Sequence, residues 1–287
     1  RGCLCVRGTS VDVCYVVTHG FSARMVLHSD LVPALTQRGL SVGVIAPGAD
    51  EDGFASLAAA RGAKAVMAPT ASRRATLLSD VYPYFMEDMR RHVPLWARHQ
   101  RAVATASSWK RKGRVFGSYA FNQTVRRVPG LSDAVARLAR TQLDDARATR
   151  LLEKERPRLL VATYPVATIE ASLLLAAERL GIPTAIHLLS WDNITCKGRF
   201  PVLANDYIAW GPVMRDELVE HYGVARERIQ EVGVPHFDAH VKRASRERLA
   251  ALLNSWQLAP DRPYLFFGMS SPVFAPTEID VVEWLAK

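Results

Sequence analysis

Thr184-Ala185-Ile186-His187-Leu188-Leu189 is a short apolar run that breaks off into Ser190-Trp191-Asp192-Asn193-Ile194-Thr195-Cys196-Lys197-Gly198-Arg199. The first part has the length and composition of a buried parallel strand. The second is polar, aromatic and basic at once and follows neither a helical nor an alternating period. A second apolar run, Asp206-Tyr207-Ile208-Ala209-Trp210-Gly211, follows, then a helical pattern over 212–222 and a third short strand over 229–232. That strand closes in Gly233-Val234-Pro235-His236-Phe237-Asp238. Strand, polar loop, strand, helix, strand is a doubly wound α/β unit, and such sheets bind ligands beyond the carboxyl ends of their strands. The loop after Leu189 occupies that position.

The N-terminal part repeats the logic. Residues 11–18, rich in β-branched side chains, predict a strand that breaks at His19-Gly20-Phe21-Ser22. A helix is expected over 23–37, with Gly39 suited to its left-handed C-terminal cap, and a strand over 41–46. This is a βαβ unit without the G-x-G-x-x-G of a dinucleotide site or the G-x-x-x-x-G-K-[ST] of a phosphate loop. NAD or FAD binding on this turn is therefore rejected, and a P-loop ATPase is not expected. Further on, the pattern predicts a helix over 52–61, a strand over 64–67 and a long helical region over 76–101 that breaks near Pro94. A helix over 132–155, a strand over 159–163 and a helix over 166–180 stopped by Gly181 complete this part. After Asp238 come a charged helix over 244–256, a strand Tyr264-Leu265-Phe266-Phe267-Gly268, a loop over 269–275 and the start of a helix at Pro276. The expected fold is α/β, a Rossmann-like doubly wound parallel sheet over 1–238, followed over 239–287 by a linker helix and the first β-α of a second such domain.

The 287 residues are 49% apolar, ample for a core, and no run approaches the ~18 to 20 apolar residues needed to span a bilayer. Residues 1–8 are too short and interrupted for a signal peptide and contain no methionine, so a fragment boundary is expected there. Four cysteines (Cys3, Cys5, Cys14 and Cys196) make no disulfide framework and have no zinc-ligand spacing, which points to a reducing cytoplasm and no structural metal. The net charge of +9 concentrates in 109–127, where Lys110, Arg111, Lys112, Arg114, Arg126 and Arg127 stand among Trp109, Phe116, Tyr119 and Phe121 with no acid. Read as a loop, this stretch fits an anionic membrane surface, a nucleic acid, or plain solvent. The absence of any RRM, KH, helix-turn-helix or zinc signature argues against nucleic acid as the partner.

The order of these features resembles the N-terminal half of a GT-B glycosyltransferase. The features are the Asp206-Tyr207-Ile208 strand, a helix with Arg215-Asp216-Glu217-Leu218, then Tyr222-Gly223, Arg228-Ile229, Gly233-Val234-Pro235 and Asp238, and a charged helix after them. The loop with Ser190-Trp191-Asp192-Asn193, Thr195 and Lys197-Gly198 resembles enzymes of bacterial surface-polysaccharide or glycolipid assembly. The resemblance implies transfer of a sugar from a nucleotide-sugar co-substrate to a glycan or lipid-linked acceptor, without a resident cofactor. It also implies a cytoplasmic protein, peripheral on the inner face of the membrane through 109–127. Most donor contacts would then lie in a C-terminal domain beyond Lys287, and this chain alone is expected to be inactive. The UDP-N-acetylglucosamine 2-epimerases are a more distant likeness. They carry His-x-Glu-Ala-Gly where this chain reads His187-Leu188-Leu189-Ser190-Trp191, so a glutamate that family relies on is missing. A basic nucleic-acid or anionic-surface binding module, and a non-catalytic remnant of the transferase fold, are the other readings.

Candidate site residues follow from strand ends. His19, at the first turn, is the expected base, the alternative being a capping histidine. Gly20, Ser22 and Arg24 share that helix entrance and can meet phosphate, although Ser22 is equally the expected N-cap. Asp192 can act as a base or orient a sugar hydroxyl, or simply end the strand in an Asx-turn. Trp191 can stack on a sugar ring, Asn193 can bond its hydroxyls, and Lys197 and Arg199 can meet a diphosphate. His236 and Asp238 stand at the exit of the third strand, and Gly268, Ser270 and Ser271 form a glycine turn that can approach phosphate. His187, inside an apolar strand, reads as a satisfied core histidine, and Cys196 as a bystander.

Overall fold

The computed structural model describes residues 11–71, 75, 89–90, 92–241, 244–270, 275 and 277–287. Two compact units are present, Arg1–Ala239 and His240–Lys287. The first holds a seven-stranded, all-parallel sheet of order β3-β2-β1-β4-β5-β6-β7. Its strands are β1 (Val13–Val16), β2 (Val42–Ala46), β3 (Ala63–Met67), β4 (Leu159–Ala162), β5 (Thr184–His187), β6 (Asp206–Ala209) and β7 (Ile229–Glu231). Strand order reverses between β1 and β4, which pair in parallel through Val13–Leu159 to Val16–Ala162. The fold is Rossmann-like and doubly wound, and that junction is its topological switch point.

Alternation along each strand feeds two helical layers. Tyr15 and Val17 of the β1 segment, with Val42, Val44 and Ala46, pack on α1 (Gly20–Leu27), α2 (Leu31–Gln37) and α3 (Asp52–Ala60). Cys14, Val16 and Ile45 face the opposite way and meet α7 (Ala146–Glu155) and α8 (Thr168–Leu180). β2 approaches β1 closely at Gly43, where a Cβ would stand 3.1 Å from the Cys14 sulfur. A third cluster packs Ile186, Tyr207 and Ala209 on Leu174 of α8 and on Met214 and Leu218 of α9 (Pro212–Tyr222).

Several elements differ from the sequence expectation for local reasons. The helix expected over 23–37 is two helices, α1 and α2; between them the Ser29 hydroxyl donates to Met25 O and accepts from Leu31 N–H. The helix expected over 132–155 divides into α6 (Leu131–Leu143) and α7, because the Asp145 carboxylate accepts from Arg147 N–H and starts a new helix. The basic stretch 109–127, expected as a loop, is the 19-residue helix α5 (Trp109–Arg127), capped by the Ser108 hydroxyl accepting from Arg111 N–H. Ahead of it α4 (Val93–Ala104) carries Pro94 in its first turn, and the rest of the expected 76–101 helix lies largely outside the described residues. The second unit holds α10 (Arg246–Ser255) and α11 (Glu278–Leu285). Residues 264–268, expected as a strand, form none. A strand needs a partner edge, and this unit contains no strand among its described residues to supply one.

No helix among the described residues is long and apolar enough to cross a membrane. Among the same residues, no three His, Cys, Asp or Glu side chains are grouped to hold a metal ion.

Candidate functional site

At the switch point a buried polar network ties β1 to β4. Glu170, on the first turn of α8, is fully buried. Its Oε2 accepts from the backbone N–H of Thr163 and of Tyr164, both at 2.7 Å, and its Oε1 accepts from the Thr18 hydroxyl at 2.6 Å. Burial pushes its carboxyl up to about 6, against these bonds, which favour the anion. The Thr163 hydroxyl lies 2.8 Å from Val16 O and 2.9 Å from the Ser22 hydroxyl. Ser22 is thus fully buried and engaged, and it neither caps α1 nor faces a ligand. The N-cap is His19, whose Nδ1 accepts from Phe21 N–H at 3.2 Å.

Above this network the carboxyl ends of the strands enclose a cavity of about 400 Å³. His19, Phe21 and Arg24 line it from the β1–α1 turn, and Tyr164 from the turn after β4. The loop after β5 contributes residues 189–193 and Lys197, Trp210 follows β6, and His236 and Phe237 come from the 3₁₀ segment Pro235–His240 beyond β7. Most of the polar candidates read from the sequence are thereby brought together. His19 lies against Phe21 (5.4 Å between ring centroids, stacked) and Tyr164 (5.8 Å), and the Arg24 guanidinium stands 5.0 Å over the Phe21 ring. Because Nδ1 of His19 accepts the capping bond, the proton of its neutral ring sits on Nε2, which makes the ring a donor.

The loop after β5 is built around one ion pair. Residues Trp191–Asn193 form a 3₁₀ turn, Cys196 N–H donates to Asp192 O at 2.8 Å, and Lys197 Nζ stands 3.1 Å from the Asp192 carboxylate. This fold-back puts Asp192 and Lys197 on the same wall. It leaves the Trp191 indole 64% exposed and Asn193 buried. The Asn193 side-chain Nδ2 is buried and has no hydrogen-bond partner among the described residues. Trp210 braces the wall by donating its indole N–H to Leu188 O at 2.9 Å. Burial raises the Tyr164 phenol above its usual range; Lys197 lowers it by less, and Asp192 raises it further.

His187 differs from the expectation of a satisfied core histidine. It is buried, 6.3 Å from the Tyr15 ring, and neither ring nitrogen has a hydrogen-bond partner among the described residues. Burial, reinforced by nearby His236, pushes its imidazole down to about 4, so the ring stays neutral.

Four of the other candidates stand elsewhere. Gly20 begins α1 without lining the cavity, and the Arg199 guanidinium stacks 5.2 Å over the Tyr222 ring. Gly268 and Ser270 belong to the second unit, where the Ser270 amide donates to the Glu278 carboxylate at 2.6 Å and is not free for phosphate. Ser271 lies outside the described residues. The residues that sequence reasoning missed are Phe21, Tyr164, Trp210 and Phe237 in the cavity, and Glu170 beneath it. Glu170 did leave a signal, as the one charged residue on the buried side of a helix whose other buried residues are Ala, Leu, Ser and Thr. The chain matches no family model and no curated protein.

Proposed function

We propose that the cavity at the switch point is the sugar-binding site of a nucleotide-sugar-dependent glycosyltransferase, with Arg1–Ala239 as its acceptor-side unit. One observation carries this reading. An exposed indole (Trp191) and a carboxylate (Asp192) succeed one another along one wall of a 400 Å³ cavity, with the buried Asn193 next in sequence. A sugar ring meets the carboxylate and the indole at once. Its hydroxyls bond the carboxylate, and its C–H face covers the indole. The cavity volume suits one or two sugar rings.

In this reading Asp192 accepts the proton of the acceptor hydroxyl as its oxygen attacks the anomeric carbon of the donor. The bond from that carbon to the phosphate breaks, and the nucleoside diphosphate leaves with the electron pair. The role of base goes to Asp192 rather than His19, because proton uptake at Nδ1 would break the α1 cap. His19 instead donates from Nε2 to a sugar or phosphate oxygen. Arg24 and the N-terminus of α1 supply positive potential for a phosphate group.

Calorimetric titration with a panel of glycosides and nucleotide-sugars tests the reading. At least one sugar should bind. Trp191→Ala should weaken it roughly tenfold, and Asp192→Asn should weaken it several-fold. Failure of the whole panel, or binding indifferent to both substitutions, would refute the assignment.

A further inference from the structure

Residues 89–132 contain ten Lys and Arg and not one Asp or Glu, leaving 27 cations against 28 acids over the rest of the chain. The entire net charge of +9 therefore resides in α4, α5 and their flanks. α5 packs against α4 and α6, burying Asn122, Gln123 and Val125. Tyr119, half-buried, joins it to α4 by stacking at 5.2 Å on His99.

The opposite face of α5 is solvent-exposed. Trp109, Gly113, Phe116, Gly117 and Ala120 recur on it at helical spacing and are all exposed, Trp109 at 79% and Phe116 at 56%. Cations flank this apolar strip instead of interrupting it: Lys110 stands beside Trp109, its ammonium 5.9 Å from the ring, and Arg114 lies further round the helix.

We propose that the exposed face of α5 docks on an anionic lipid surface, with Trp109 and Phe116 entering the headgroup boundary and the flanking cations engaging lipid phosphates. The order of groups across the helix favours lipid over nucleic acid. A backbone-tracking face places its cations where the phosphates lie, whereas here the centre is apolar and the charge is peripheral, as in interfacial helices. The surface potential of an anionic leaflet attracts each basic residue near it. This inference stands independently of the chemistry assigned to the cavity.

Sedimentation with phosphatidylcholine vesicles and with mixed phosphatidylcholine–phosphatidylglycerol vesicles, at low and high salt, tests it. The unmodified chain should bind the mixed vesicles, leave the neutral ones in suspension, and release at high salt. Lys110→Gln with Arg114→Gln should weaken binding roughly 25-fold, about fivefold per charge. Trp109→Ser with Phe116→Ser should weaken it roughly tenfold at low salt, with every cation still in place. Unchanged circular dichroism is the check that each variant is folded, and the contrast between the two vesicles on the unmodified chain needs no variant. Equal binding to both vesicles, or binding to neither, would overturn the proposal. So would tighter binding to duplex DNA or an RNA hairpin than to the mixed vesicles, or indifference to the aromatic pair.

Discussion

Glu170 and His187 are buried titratable groups with opposite consequences for pH. Glu170 holds its proton up to about 6 in the folded state, against a usual value of 4.5. Between those values the native state binds more protons than the unfolded chain, so its contribution to stability falls by about 2 kcal/mol as pH rises. His187 is pushed down to about 4 from 6.5. Over that window the unfolded chain binds more protons, so this contribution is lost as pH falls. The two slopes oppose each other between pH 4.5 and 6. Urea denaturation across that range should show Glu170→Gln gaining on wild type as pH rises, because only the His187 slope remains of the two. Parallel profiles would contradict the assignment. Glu170→Ala leaves the amides of Thr163 and Tyr164 without their acceptor and should cost about 2 to 5 kcal/mol. At this scale the sequence was informative where a polar residue lies in the turn or loop after a strand, as at His19, Asp192 and His236. It was silent on Tyr164 and Trp210, whose place in the cavity depends on which strands are neighbours. It misled at Ser22, an ordinary cap by composition, because nothing local says that Thr163 would lie 2.9 Å away.

At the scale of elements, α8 holds the two halves of the sheet together. Leu173 belongs to the cluster under β1 and β2, and Leu174 to the one under β5 and β6. Leu173→Ala should cost about 2 to 5 kcal/mol, measurable as a lowered urea midpoint with an unchanged slope. α8 ends at Gly181 with φ +67°, and its amide donates to Glu178 O. Gly181→Ala should cost about 1 to 2 kcal/mol by forcing a Cβ into the left-handed region. Strand cores were readable because β-branched and apolar runs of four or five residues have few alternatives. Helix breaks were not, since Asp145 and Ser29 end or start helices through side-chain bonds that leave the apolar period on either side intact. The basic segment reads as loop because Gly113 and Gly117 lower its helix propensity. The Ser108 cap and the packing of Tyr119 and Val125 outweigh that cost.

For the whole molecule, the order of elements predicts a doubly wound sheet, whereas the strand order that creates the switch point is long-range and appears only in the folded chain. The expected strand at 264–268 failed for the converse reason, an apolar pattern without an edge to join. Every residue lining the cavity lies in Arg1–Ala239, as do all seven strands. A fragment ending at Ala239 should therefore melt cooperatively and keep the sugar affinity of the full chain; aggregation or lost binding would show that residues 240–287 are needed. The central claim is that the switch-point cavity receives a sugar ring against Trp191. Saturation-transfer NMR on the full chain with the glycoside panel measures this directly. The account predicts transfer strongest to the C–H protons on one face of one sugar, and loss of that pattern in Trp191→Ala. Transfer to none of the sugars, or an identical pattern in Trp191→Ala, would contradict it.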